Sequence, residues 1–224
     1  MKAMLLREIV SLKDKSNPLS FEETDAPKPG DGEILLRVTR CGVCHTELDE
    51  IEGRTPPPQL PVVLGHQVVG VIEEGKNKGQ RVGVAWIASA CGKCNHCLSG
   101  NENLCNDFQA TGRDVNGGYA EYMKIHANFV HPIPNAFTDS EAAPLLCAGA
   151  IGYRSLRLSN IQNGQNLGLM GFGGSNHLVL KLAKYKFPNA KLFVFSRNPN
   201  ERDFALSLGA AWAGAINESP LDLG

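Results

Sequence analysis

No stretch of this chain approaches the roughly 20 consecutive apolar residues that a membrane-spanning helix requires. The first residues, "MKAMLLREIVSLKDK", hold an apolar run too short for the core of a secretion signal, and Arg7 and Glu8 interrupt it. Blocks of one charge are also missing. The 22 Lys and Arg face 23 Asp and Glu, a formal net charge of −1, with neither a basic run nor an acidic tail. That balance offers no electrostatic footprint for nucleic acid or for a membrane surface. Internal repeats and low-complexity tracts are absent as well. With 42% hydrophobic and 20% charged residues, the 224-residue chain reads as soluble and globular, one large domain or two small ones. The default compartment is the reducing cytoplasm. The seven cysteines there read as metal ligands or reactive thiols rather than as disulfides.

What is present changes in texture along the chain. The runs "EILLRV", "VVGVIEE", "RVGVAW" and "YAEYMKI" predict strands, bounded by "APKPGDG", "TPPPQLP" and "VNGG". Near Thr138 the pattern turns helical. Thr138 followed by Glu141 is a capping box, and Pro144 predicts a first turn or a break between two helices. Then come a buried strand at "NLGLMGF" and a helix at "GGSNHLVLKLAKYKF" with Leu178, Leu182 and Tyr185 on one stripe. A second strand at "KLFVFS" and a helix at "NERDFALSLG", stopped by Gly209, complete a βαβ pattern, with part of a third strand around Trp212–Ile216.

Four cysteines crowd one short loop, "CGKCNHCLSGNENLC". Cys91, Cys94, Cys97 and Cys105 can converge on one tetrahedral zinc, because short spacers wrap a chain around an ion without long closure loops. Four protein ligands close the coordination sphere, which makes such a zinc structural. Cys41, Cys44 and Cys147 remain, with His45 and His66 as further candidates. A catalytic zinc needs few protein ligands and an open position, and spacing alone does not choose among these five. "CGVCHTELDE" is also a CxxC, a redox pattern when a thioredoxin-like βαβ unit surrounds it; none does here.

Five stretches in a fixed order, "CGVCHTELD", "LPVVLGHQVVG", "CGKCNHCLSGNENLC", "PLLCAGAIGYRSL" and "GFGGSNH", resemble the medium-chain, zinc-dependent alcohol dehydrogenase family over nearly the whole chain. The resemblance implies a combined α+β and α/β fold: a GroES-like, β-rich catalytic domain over residues 1–150, then a partial Rossmann dinucleotide-binding domain over 151–224. It implies two zinc ions per chain. Cys44, His66 and Cys147 hold the catalytic one, the Cys₂His set of alcohol dehydrogenase, and the four loop cysteines hold the structural one. Cys41 is then a small buried residue before the Gly42 turn.

The resemblance also distributes roles. Thr46 matches the hydroxyl that hydrogen-bonds the substrate oxygen and starts a proton relay. Asp49 stands where many members place the histidine that ends the relay. His45 matches a basic residue near the cofactor pyrophosphate. Glu47 falls where the family usually has Asp, a hydrogen-bond partner of the ligand shell. Gln67 replaces the family's Glu after the zinc-binding His, so no anionic alternate ligand stands there. Trp86 matches an aromatic of the substrate cleft. The implied reaction interconverts a small-molecule alcohol and its aldehyde or ketone, with polyol oxidation as a relative of it.

"GFGGSN" supplies Gly171, Gly173 and Gly174 between a strand and a helix, the context in which such a turn cradles a dinucleotide pyrophosphate. Asn176, at the third-glycine position, is expected to crowd that turn. At the end of the second strand Ser196 and Arg197 stand where an NAD enzyme carries a carboxylate. They favour NADP(H) over the alternative NAD(H), since a guanidinium grips a 2′-phosphate. The hairpin "VIEEGKNKGQRVGV" is short for the family. Only two strands and part of a third fit the Rossmann pattern, so the resemblance is to a C-terminally truncated member. That leaves a second function open, a non-catalytic zinc-binding protein of dehydrogenase ancestry. It also leaves a place at the open sheet edge for a homo-oligomer or a complementing chain.

Overall fold

The computed structural model describes residues 1–218; the last six residues of the second predicted domain lie outside the described residues. Two compact units emerge, the first ending at Cys147 and the second beginning at Ala148, a few residues before the boundary drawn from the sequence. Among the described residues no helix is long and apolar enough to cross a membrane.

The first unit runs β1 (Lys2–Leu6), β2 (Leu19–Glu23), β3 (Glu33–Gly42), α1 (His45–Ile51), β4 (Val62–Val63), β5 (Gln67–Glu74), β6 (Arg81–Val84), β7 (Ile87–Ser89), α2 (Asn95–Leu98), β8 (Gln109–Ala110), β9 (Tyr122–His126), β10 (Val130–Pro132) and α3 (Asp139–Ala142). Its centre is a five-stranded antiparallel sheet in the order β10-β6-β5-β3-β9. Alternation turns Ile34 and Leu36 of β3 to the core, where they meet Val68, Ile72, Val82, Val84, Met123 and Ile125. β5 is apolar on both faces because both are covered. Val69 points away from that cluster onto Ala142 and Ala143 of the segment leading to Cys147.

That segment follows the capping-box expectation. Thr138 caps α3, Glu141 reaches back to its backbone, and Pro144 opens a 3₁₀ turn over Ala143–Leu146 that ends at Cys147. The sequence reading missed the three-stranded sheet β2-β1-β4, because β1 and β2 lack clear alternation, and the two-stranded sheet β7-β8, whose strands are only two or three residues long.

The second unit contains α4 (Ala148–Leu158), β11 (Asn166–Met170), α5 (Gly174–Lys186), β12 (Lys191–Phe195), α6 (Pro199–Ser207) and β13 (Trp212–Gly214). The three strands are parallel in the order β11-β12-β13, with α5 and α6 as crossovers: two successive βαβ units. The fold is thus an α+β unit followed by an α/β unit. One expectation needs correction. The buried face of α5 is Val179, Leu180 and Ala183, and Tyr185 is 86% exposed. Small residues decide this. A Cβ on Gly152 of α4 would come within 2.7 Å of Val179, so α4 and α5 approach closely along that face.

Candidate metal centre

Cys44 ends the turn after β3 as the N-cap of α1, and its Sγ accepts a hydrogen bond from the Thr46 amide at 3.3 Å. His66 directly precedes β5. It follows Gly65, whose φ of 97° lies in the region that favours glycine, and a Cβ there would meet Tyr119 at 2.7 Å and Cys41 Sγ at 2.8 Å. Cys147 ends the segment packed on β5. The ligand atoms of Cys44, His66 and Cys147 all lie within 4.8 Å of one another, and Cys44 Sγ is 3.5 Å from His66 Nε2. Zinc bonds of about 2.3 Å to sulfur and about 2.0–2.1 Å to nitrogen place S and N about 3.6 Å apart at a tetrahedral edge. The donor set therefore fits that ion.

The other face of the His66 ring is held from α1. Nδ1 stands 2.7 Å from Glu47 Oε1, both residues are buried, and among the described residues neither atom has another partner. The second oxygen of Glu47 accepts from the Cys44 amide at 2.8 Å. One carboxylate thus ties two of the three candidate ligands together. In the ion-free chain the Cys147 thiol donates toward Cys44 and, against burial, holds it down at about 3, with His66 adding to the effect. Burial works to lower His66, but Cys44 and Glu47 outweigh it and raise it to about 9. Cys147 is driven upward, first by its hydrogen bond to the Cys44 thiolate and then by burial. A metal taking up all three donors would displace protons from them.

The remaining expected site residues fall at varied places. Thr46 is half-buried beside Cys44. His45 is exposed, 3.8 Å from Asp49, whose carboxylate also accepts from Arg54. Gln67 is 2% exposed, with its Nε2 unpartnered. Trp86 lies edge-on to the His66 ring at 4.9 Å, and the Arg113 guanidinium sits 5.6 Å over its indole. Cys41 joins neither ligand group. It pairs with Val68 in the sheet and packs on the core, and burial pushes its thiol up to about 12.

The other cysteine group is local. Cys91, Cys94, Cys97 and Cys105 bring their sulfurs within 4.8 Å of one another, with Cys97 Sγ 3.9 Å from Cys91 and 3.6 Å from Cys94. Zinc–sulfur bonds of about 2.3 Å imply tetrahedral edges of about 3.8 Å, so this set also fits. His96 is exposed and takes no part.

In the second unit, Gly171 follows β11 with φ 77° and Gly173 caps the N-terminus of α5. A Cβ added at Gly171, Gly173 or Gly174 would meet nothing within 4 Å, so a cradle of bare backbone opens at a helix N-terminus. Asn176 does not crowd it. Its Nδ2 donates to the carbonyls of Met170 and Gly171, both at 2.9 Å, and pins the turn. Ser196 is buried at the end of β12 and Arg197 is exposed.

The family model described as "Alcohol dehydrogenase GroES-like domain" matches residues 30–135. A probable alcohol dehydrogenase, AdhA, of Mycobacterium tuberculosis (strain CDC 1551 / Oshkosh) is 43% identical over 216 residues, covering 92% of this chain and 62% of the relative. The chain belongs to the medium-chain zinc-type alcohol dehydrogenase family. Among solved structures, a cinnamyl alcohol dehydrogenase of Sorghum bicolor superposes with a TM-score of 0.83 at 32% identity, over 95% of this chain and 63% of that one. A cobalt- and zinc-bound thermostable alcohol dehydrogenase of Pyrobaculum aerophilum does so with a TM-score of 0.83 at 25% identity, over 95% and 65%. The chain thus spans less than two thirds of the length of these relatives.

Within this alcohol dehydrogenase family chain, three residues near the sites escaped the sequence reading. Glu50, one helical turn beyond Glu47, is fully buried, and neither carboxyl oxygen has a hydrogen-bond partner among the described residues. Burial, then the neighbouring Glu47 charge, push it up to about 8. Arg113 pairs with Asp114 at 2.8 Å and covers Trp86. Glu201, in the first turn of α6, accepts from the Ser196 hydroxyl, so a carboxylate does stand at the end of β12. Helical spacing from Glu47 was a readable signal for Glu50; Glu201 depends on how α6 folds back.

Proposed function

We propose that this chain carries the zinc and cofactor sites of an enzyme that interconverts small alcohols and their aldehydes or ketones with a nicotinamide cofactor. The observation that carries the reading is the group Cys44, His66 and Cys147, three mutually close donors. Three protein ligands leave one tetrahedral position open, as catalytic zinc sites require, whereas the four-cysteine loop would be a closed structural site. Zinc bound at the triad supplies a Lewis acid to the substrate oxygen. Glu47 orients His66 through Nδ1, which keeps Nε2 as the donor to the metal. Thr46, beside Cys44, hydrogen-bonds the substrate oxygen and takes its proton toward Asp49, which lies beside His45. Trp86 sets an apolar ring beside His66, on which an apolar part of the substrate could pack. Elemental analysis of the purified full chain is expected to give two zinc ions per chain, and alcohol oxidation with added cofactor is expected. One zinc and no turnover would instead make it a zinc-binding protein of dehydrogenase ancestry.

The cofactor seat is the Gly171–Gly174 cradle, where α5 offers its N-terminus to a pyrophosphate. We read its preference as NADP(H). Arg197 is exposed at the end of β12, and Arg202 adds a second guanidinium, donating to the Ser196 carbonyl at 3.1 Å. Glu201 opposes them with one negative charge. Arg197→Ala is expected to weaken NADP(H) about tenfold to hundredfold, the worth of about 1.5–3 kcal/mol for hydrogen bonds to a charged group. Glu201→Gln is expected to tighten NADP(H) and leave NAD(H) little changed. Titrating both cofactors against the three proteins checks this, and NAD(H) binding tighter in the wild type would refute it.

A further inference from the structure

Glu50 is the buried acid for which the proposed chemistry has no use. It is 0% exposed, and among the described residues both its oxygens lack a hydrogen-bond partner. An isolated carboxylate in such a place is costly unless a cation compensates it. Its position on α1 is three residues after Glu47, which places the two side chains on one helix face, and Glu47 reaches His66 Nδ1 at 2.7 Å. Two buried acids therefore stand near one helix face, and one of them, Glu47, holds His66 of the metal centre. The charges acting on Glu50 are those of Glu47, His66, Arg113 and Cys44. Arg113 is the cation among them that is not part of the centre. It is already committed, with Nε and Nη2 donating to Asp114 at 3.0 and 2.8 Å and the guanidinium lying over Trp86. Gln67, next to His66, brings a neutral amide with an unpartnered Nε2 and no compensating charge.

We propose that Glu50 is a positioning residue of the Cys44–His66–Cys147 centre: its buried negative charge strengthens the hold on a divalent ion without ligating it. The inference rests on the reading of that triad as a metal site. Two thiolates cancel a divalent ion's charge, so further anions behind His66 set the net field at the site. Without the ion, burial and the Glu47 charge favour protonated Glu50; a bound divalent ion would favour its ionised form. Metal affinity and the state of Glu50 are therefore linked.

The test uses the full-length chain loaded with Co²⁺ and a competing chelator, read by the cobalt absorption of each site, with the four-cysteine site as internal reference. Glu50→Gln keeps the shape and removes the charge. It is expected to weaken cobalt at the triad about tenfold to hundredfold, the usual effect of altering a group just outside a ligand shell, and to leave the four-cysteine site unchanged. Glu50→Asp is expected to retain most of the affinity. Equal triad affinity in Glu50→Gln and wild type overturns the proposal, as does an equal loss in Glu50→Asp and Glu50→Gln, which marks a packing role. If Glu50→Gln does not fold, Glu50→Met replaces it as the neutral probe. Failure of both to fold makes Glu50 structural and overturns the proposal. Wild-type chain that binds cobalt only at the four cysteines overturns the triad reading itself, a result distinguishable because it appears before any substitution.

Discussion

Cys97→Ala is expected to lower the melting temperature of the chain by about 10 °C or more. The loop it belongs to has little else to hold it. Between Cys91 and Cys105 lie one four-residue helix and one 3₁₀ turn, Leu98 is 73% exposed and Leu104 is 51% exposed. Apolar burial does little to order such a segment, which leaves that role to the proposed metal. The binding free energy of a structural zinc is about 10–16 kcal/mol in small zinc peptides and is folding free energy there. Here the loop can release without unravelling the five-stranded sheet, so only part of that energy is lost from the whole unit. A loss of a few kcal/mol already shifts melting by about 2–4 °C per kcal/mol at this size. Calorimetry of wild type, Cys97→Ala and chelator-treated wild type checks it. Melting within 2 °C or so of wild type in the variant would remove the structural role from this group.

Cys147→Ala is expected to do the opposite: to remove the proposed triad metal and about a thousandfold or more of the proposed alcohol-oxidising activity while barely moving the melting temperature. The half-exposed Cys147 side chain carries little burial, and Leu146 and the Ala142–Ala143 packing on Val69 remain in place. The loss in rate follows from losing a Lewis acid worth several kcal/mol, at about 1.4 kcal/mol per tenfold. His66→Ala is a poorer probe of the same site. It leaves the buried Glu47 oxygen without its partner, and breaking a buried pair costs about 3–5 kcal/mol. That variant should lose both activity and stability. Metal content, turnover and melting measured on Cys147→Ala and His66→Ala together separate the chemistry from the fold. Full activity in Cys147→Ala would end the triad assignment.

Much of this was legible from local pattern. The four loop cysteines need only short spacers to converge, so their grouping can be read along the chain. The capping box at Thr138 and Glu141, the Pro144 break, and the strand–turn–helix of "NLGLMGFGGSNH" are likewise set within a few residues of themselves. The misreading of α5 shows where local pattern ends. Leu178, Leu182 and Tyr185 form a plausible apolar stripe. The buried face was instead Val179, Leu180 and Ala183, where Gly152 lets α4 come close to Val179.

The sequence by itself determined the β-rich first unit, the βαβ pattern of the second, the four-cysteine group and the glycine turn, because each follows from periodicity or short spacing. Only the tertiary structure decided which remaining cysteines meet. Strand pairing turns Cys41 toward Val68 and the core. The next turn makes Cys44 a helix cap facing His66, and the packing of Ala142 and Ala143 on Val69 delivers Cys147. It also brought Glu201 to Ser196, sealed Glu50 without a partner and set Trp86 on the edge of His66. These contacts join segments far apart in the chain or depend on how a helix folds back, and sheet register and side-chain volume, rather than spacing, set which atoms end up within a few ångströms.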